Sequence, residues 1–194
     1  EWRDGLRHHV FVVPVAGGKL ERLASYDSQR FNIEGATGLT QIGGMPFVAS
    51  WFGIASRDTK ALTSTQVVTD FPVYIWTAGG LTTDGTLLYF LAHTYSKQTG
   101  HRREVYKIDP AKPQPTGIVL PGVQHENDLV FHKSALYIAD DTVIVRVELP
   151  SNKVTAIAGK RDARRCDDGA GVAARFTQAT GIDTDGERLI VGDV

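Results

Sequence analysis

Gly181-Ile182-Asp183-Thr184-Asp185-Gly186-Glu187-Arg188-Leu189-Ile190-Val191-Gly192-Asp193 lies over Gly80-Leu81-Thr82-Thr83-Asp84-Gly85-Thr86-Leu87-Leu88-Tyr89-Phe90-Leu91-Ala92 without a gap. In both stretches two short apolar runs flank an Asp-Gly pair, which suits a hairpin turn because glycine enters positive φ at little steric cost. A third copy runs from Asp128-Leu129-Val130-Phe131 to Leu136-Tyr137-Ile138-Ala139-Asp140. A degenerate fourth starts at Ala36-Thr37-Gly38-Leu39 and reaches Pro46-Phe47-Val48-Ala49. The runs at 88–91 and 136–139 are apolar at successive positions, which predicts strands buried on both faces.

A second unit follows each inner hairpin. Val145-Arg146-Val147-Glu148 and Val154-Thr155-Ala156-Ile157-Ala158 flank a turn at Pro150-Ser151-Asn152; Tyr106-Lys107-Ile108-Asp109 and Gly117-Ile118-Val119-Leu120 flank a Pro-rich turn. Val13-Pro14-Val15, Gly17-Gly18 and Leu20-Glu21-Arg22-Leu23 read as another outer hairpin. Alternation of apolar and polar residues gives these strands one wet face. The copies begin at Gly38, Gly80, Asp128 and Gly181, about 42, 48 and 53 residues apart, the period of a propeller blade.

The expected fold is therefore all-β, a β-propeller of four-stranded blades forming one domain over 1–194. Blades are expected over 36–69, 79–121 and 127–159. The two ends carry complementary halves, so 180–194 plus 10–24 are expected to complete a further blade, giving about four. The other reading is part of a larger propeller, in which open inner edges favour self-association.

Composition narrows the partners. The chain has 194 residues, 42% hydrophobic and 22% charged, with formal net charge -1, so it lacks the positive field of a general nucleic-acid binder. Nucleic acid is not an expected partner. No run of about 18–20 apolar residues would span a bilayer, so membrane insertion is not expected either. One cysteine, Cys166, excludes an internal disulfide and any zinc site built on paired cysteines. The reading is a soluble chain with an extracytoplasmic setting favoured.

The stretch Val154-Thr155-Ala156-Ile157-Ala158-Gly159, Asp167-Asp168-Gly169-Ala170-Gly171, Ala173-Ala174-Arg175-Phe176, Ala179-Thr180-Gly181-Ile182 and Leu189-Ile190-Val191-Gly192-Asp193 resembles the NHL-repeat consensus. In that consensus an Ala-Gly strand end leads through Asp-Gly-x-Gly and Ala-x-Phe to a Gly-Ile strand and a strand-end Asp. The match covers roughly 40 residues, and the usual Asn-His-Arg after the strand-end Asp is absent at Asp140. A weaker similarity links Asn127-Asp128-Leu129-Val130-Phe131 to the Asn-Gly-Leu strand of gluconolactonase-like propellers, whose Asn ligates a divalent metal. There Asp128 stands where that family has Gly, and Glu34-Gly35 is followed by Ala36 rather than Pro.

Loops between blades and loops joining inner to outer hairpins share one face of a propeller. That face collects His8, His9, His93, His101, Arg102, Arg103, His125, Glu126, Asn127, Arg164 and Arg165, while His132 falls in the opposite turn. His93, His101, Arg102, Arg103, His125, Glu126, Asn127, Arg164 and Arg165 form the expected ligand-binding face for a protein or small ligand. The expectation is protein or ligand binding with no cofactor, leaning against an enzyme. The alternative is a metal-dependent hydrolase, lactonase or lyase of the gluconolactonase-like kind, holding a divalent metal such as Ca²⁺ or Zn²⁺ at His125, Glu126 and Asn127. Asp140 and Asp193 occupy equivalent strand ends and are expected to satisfy backbone N–H groups in each blade. The loop from Lys160 to Asp168 is expected to be solvated, with ion pairs internal to it. No phosphate-cradling loop, zinc-protease helix or nucleophile elbow is present in the sequence.

Overall fold

The turn chemistry of the repeat appears twice in identical form. At one copy the Thr83 hydroxyl donates to the Leu87 carbonyl and accepts from Gly85 N–H, while Asp84 Oδ1 accepts from the N–H groups of Thr86 and Leu87. At the other, Thr184 bonds the Arg188 carbonyl and Gly186 N–H, and Asp185 Oδ1 accepts from Glu187 and Arg188. Gly85 and Gly186 take φ of 94° and 93°, the left-handed region that excludes most side chains. The third copy has no glycine there; Lys133 and Ser134 adopt φ of 45° and 66° and close a two-residue hairpin.

The computed structural model describes residues 9–12, 21–25, 37–50, 53–58, 63–68, 71, 74–125 and 127–194. Strands follow in the order β1 (His9–Val12), β2 (Glu21–Ser25), β3 (Gly38–Ile42), β4 (Met45–Ser50), β5 (Gly53–Asp58) and β6 (Thr63–Val68). Next come β7 (Tyr74–Thr83), β8 (Leu88–Ser96), β9 (Gly100–Asp109) and β10 (Lys112–Val119). The last are β11 (Asp128–His132), β12 (Ala135–Asp140), β13 (Val143–Glu148), β14 (Lys153–Gly159), β15 (Ala179–Thr184) and β16 (Leu189–Asp193). A 3₁₀ turn at Gly171–Ala173 is the one helical element among the described residues.

Three antiparallel four-stranded sheets result: β3-β4-β5-β6, β7-β8-β9-β10 and β11-β12-β13-β14. β1–β2 and β15–β16 are separate two-stranded sheets among the described residues. The joint blade expected of 10–24 and 180–194 turns in part on residues 13–20, which lie outside the described ones. β7 begins at Tyr74, upstream of the Gly80 at which the sequence repeat starts, and irregular pairing with β8 between Ile75 and Leu81 absorbs the added length.

Leu88, Leu136 and Leu189 sit opposite Thr83, Phe131 and Thr184, the same register position in successive hairpins. Leu88 and Leu136 are fully buried, whereas Leu189 is half-buried. Leu189 lies on β16, which bears no outer strand pair of its own among the described residues. The doubly apolar run on β8 divides as its continuous hydrophobicity predicts. Leu88, Phe90 and Ala92 pack on Phe47, Ala49 and Ile54 of the preceding blade. Tyr89 and Leu91 pack on Leu129, Leu136 and Ile138 of the next. Burial of each such aliphatic or aromatic side chain contributes about 1.5–3 kcal/mol, so the blades are held face to face by core.

The inner strands β3, β7, β11 and β15 neighbour one another in sequence order. Around them lies a cavity of about 550 Å³ lined by Leu39, Thr82, Asp128, Val130, Asp183 and Gly192, among others. Close approach explains two of the inner-strand glycines, Gly38 and Gly80, but not Gly181, where a Cβ would meet only Asp128 Oδ2 at 3.9 Å. A Cβ on Gly38 would fall 2.3 Å from Leu81 N, and one on Gly80 would fall 2.0 Å from Asp128 Oδ1. Asp128 breaks the glycine pattern and uses its carboxylate across the same gap, accepting from Leu129 N–H at 2.9 Å and from Ile182 N–H of the next blade at 3.1 Å. Burial pushes the Asp128 carboxyl above its ordinary value.

Candidate binding rim

Asp140 and Asp193 perform the same task at equivalent strand ends. Asp140 Oδ1 accepts from Gln124 and His125 N–H at 3.0 and 2.7 Å; the Asp193 carboxylate accepts from Thr177 and Gln178 N–H at 3.1 and 2.7 Å. Each carboxylate thus pins the segment that enters its own blade. Asp140 is fully buried and also pairs with Arg161, whose guanidinium bonds the Gly122 carbonyl as well.

The neighbouring Asp141 holds Arg164 through two bonds of 3.0 and 2.9 Å, and Arg164 also donates to the Thr177 carbonyl. Asp141 takes φ of 58°, and its carbonyl accepts from Ala179 N–H. The loop after β14 is therefore not held mainly by pairs internal to itself. Arg161 and Arg164 reach back about twenty residues to the Asp140-Asp141 corner, and the one internal pair, Arg165 with Asp167 at 3.9 Å, is exposed at both ends. An exposed pair of that length adds little.

The other expected ligand residues divide into two groups. His125 Nε2 lies 4.0 Å from the Asp141 carboxylate, and the Asn127 amide donates to the Ala179 carbonyl at 2.7 Å. Glu126 lies outside the described residues, as do His8 and the Glu34-Gly35-Ala36 segment. Among the described residues no three of His, Cys, Asp and Glu converge as a metal site. Around the blade of β7–β10, by contrast, His101 Nδ1 stands 3.0 Å from His93 Nε2, and Tyr95 lies against the His101 ring with centroids 4.9 Å apart. Arg103 Nε donates to the Gln124 carbonyl at 3.1 Å. His101, Arg102 and Arg103 line a groove of about 410 Å³ whose other wall is Val119, Leu120 and Val123.

Electrostatically this groove is cationic above an apolar floor. Arg102 and His101 are exposed, as is Val119 at 43%. Leu120 and Val123 were not singled out by sequence reading, because their place in the groove depends on a turn in which Val123 N–H bonds the Leu120 carbonyl. Asp141 and Arg161 were missed for a similar reason. Only the Asp140-Asp141 doublet and the arginine-rich loop hinted at a pairing between them.

No protein-family model matches the chain, and no curated protein matches it. Solved structures do. TolB from Acinetobacter baumannii aligns with a TM-score of 0.61 at 13% identity, covering 94% of this chain and 42% of that one. An auxiliary nutrient binding protein from Bacteroides thetaiotaomicron gives 0.58 at 17%, covering 90% and 47%. A chain of a nidogen/laminin complex gives 0.58 at 16%, covering 76% and 54%. The fold is that of a β-propeller. The present chain spans about half the length of these propellers. Among its described residues no helix is long and apolar enough to cross a membrane.

Proposed function

We infer that this propeller is a non-enzymatic, NHL-type recognition domain that binds an acidic segment of a protein ligand on its loop-rich face. The observation that carries the reading is the groove beside β9 and β10, where His101, Arg102 and Arg103 stand over Val119, Leu120 and Val123. A cationic edge over an apolar floor suits a carboxylate-bearing chain, since charge steers the encounter and apolar burial holds the complex. The rim polar groups elsewhere support the same reading: Asp140, Asp141, Arg161, Arg164 and Asn127 are engaged in holding loops to blades. The similar solved structures include a nidogen/laminin complex and a nutrient binding protein, so binding is at home on this scaffold. An extracytoplasmic setting belongs to the proposal and is checked by cell fractionation.

The test uses a fluorescently labelled oligoglutamate peptide titrated with the intact chain at low and moderate salt. Binding should be saturable, weaken with salt, and fall at least tenfold in Arg102→Glu. No binding by the wild-type chain, or equal binding by the variant, overturns the acidic-ligand reading.

A further inference from the structure

His93 and His101 come from adjacent strands of one hairpin. His101 is the register partner of Tyr95, and His93 precedes Tyr95 by two residues, so both imidazoles project from the same sheet face as a diagonal pair. Their nitrogens, Nε2 of His93 and Nδ1 of His101, are 3.0 Å apart, with ring planes inclined at 52° and centroids at 4.9 Å. Neither residue is brought there by a loop; nine register pairs of β8 with β9 fix the backbone beneath them.

The geometry points to a cis two-imidazole site for a borderline divalent transition metal, Cu²⁺ or Ni²⁺. Two nitrogens at about 2.05 Å from one ion and 3.0 Å from each other subtend about 94°. That is the right-angle bite of square-planar or octahedral coordination. Imidazole nitrogen in tetragonal geometry is the donor set that Cu²⁺ and Ni²⁺ favour. Without an ion, one ring donates its N–H to the other across the same distance; on binding, that ring carries its proton on its other nitrogen, so each ring turns a lone pair to the ion while the strands stay in place. His101 is exposed, which gives the ion a path in from solvent. Its two donors are His93 and His101, neither His125 nor Asn127, and it does not rest on the acidic-ligand reading.

Calorimetric titration of the intact chain with NiCl₂ and with CuSO₄, backed by electron paramagnetic resonance of the copper form, tests it. One ion per chain should bind with nitrogen coupling in the spectrum. Affinity should fall at least tenfold in His101→Ala and in His93→Ala, and stay unchanged in His125→Ala and in the double variant His8→Ala/His9→Ala. His101→Ala is the safer variant for folding because that ring is exposed, and its metal-free melting should match wild type. The inference is overturned if no saturable site exists, if the site survives His101→Ala, or if it is lost in the His8/His9 double variant.

Discussion

Replacing Asp140 by alanine should be among the most damaging single changes in the chain. Its carboxylate is fully buried and takes two backbone N–H bonds, from Gln124 and His125, together with the Arg161 guanidinium. Alanine would leave two N–H groups without their acceptor, at about 1–3 kcal/mol each. It would also leave Arg161 with the Gly122 carbonyl alone among the described residues; because that guanidinium is part-exposed, the added cost falls below the roughly 3–5 kcal/mol of breaking a fully buried pair from one side. These costs overlap because the freed groups relax together, so the expected loss is about 4 kcal/mol. Asp193→Ala is the internal control. It removes the same pair of N–H bonds, to Thr177 and Gln178, with no arginine on the carboxylate among the described residues. Its expected cost is about 1–3 kcal/mol. Urea unfolding of both variants and wild type at neutral pH gives the comparison, and Arg161→Ala with the double variant isolates the ion pair. If Asp140→Ala costs no more than Asp193→Ala, the clamp described for the rim is wrong.

Other outcomes follow from single distances and conformations. Gly80→Ala would place a methyl 2.0 Å from Asp128 Oδ1 and 3.0 Å from Leu129 N, so unfolding should show a loss above about 2 kcal/mol, eased when Asp128→Gly is added. Gly186→Ala meets no neighbouring atom within 4 Å but must adopt φ of 93°, which should cost about 1–2 kcal/mol by the same assay. Asp128 has a carboxyl raised by burial above the ordinary value of 3.8, so the folded chain binds its proton more readily than the unfolded chain. Wild type should therefore gain stability relative to Asp128→Asn as pH falls toward 3.8 from above, and the gap should be constant near neutrality. A difference that is flat across that range would contradict the assignment.

The repeat was legible because it is local. Asp-Gly at 84–85 and 185–186 dictates a turn, and five successive buried residues from Leu88 to Ala92 announce a strand covered on both faces. Asp140 and Asp193 were legible as a pair because repetition across blades marks a structural duty. The extent of β7 was not, since the glycines at 79 and 80 suggest a strand start while pairing with β8 carries the strand back to Tyr74. The destinations of Arg161 and Arg164 were also hidden. Their partners lie 21 and 23 residues away, and only the path of the intervening loop selects Asp140 and Asp141. The histidine pair shows the same limit: His93 and His101 are eight residues apart, and the hairpin register alone makes them neighbours.

Ligand recognition by the rim and metal-dependent hydrolysis through His125 and Asn127 make opposite demands on the same side chains. The direct measurement is elemental analysis of purified protein, followed by calorimetric titration with Ca²⁺, Zn²⁺ and Mn²⁺, on wild type and Asn127→Ala. No stoichiometric ion whose binding depends on Asn127 is expected, because among the described residues no three His, Cys, Asp or Glu side chains converge to hold one beside that amide. One ion per chain in wild type, absent in Asn127→Ala and accompanied by lactone hydrolysis, would contradict the recognition reading.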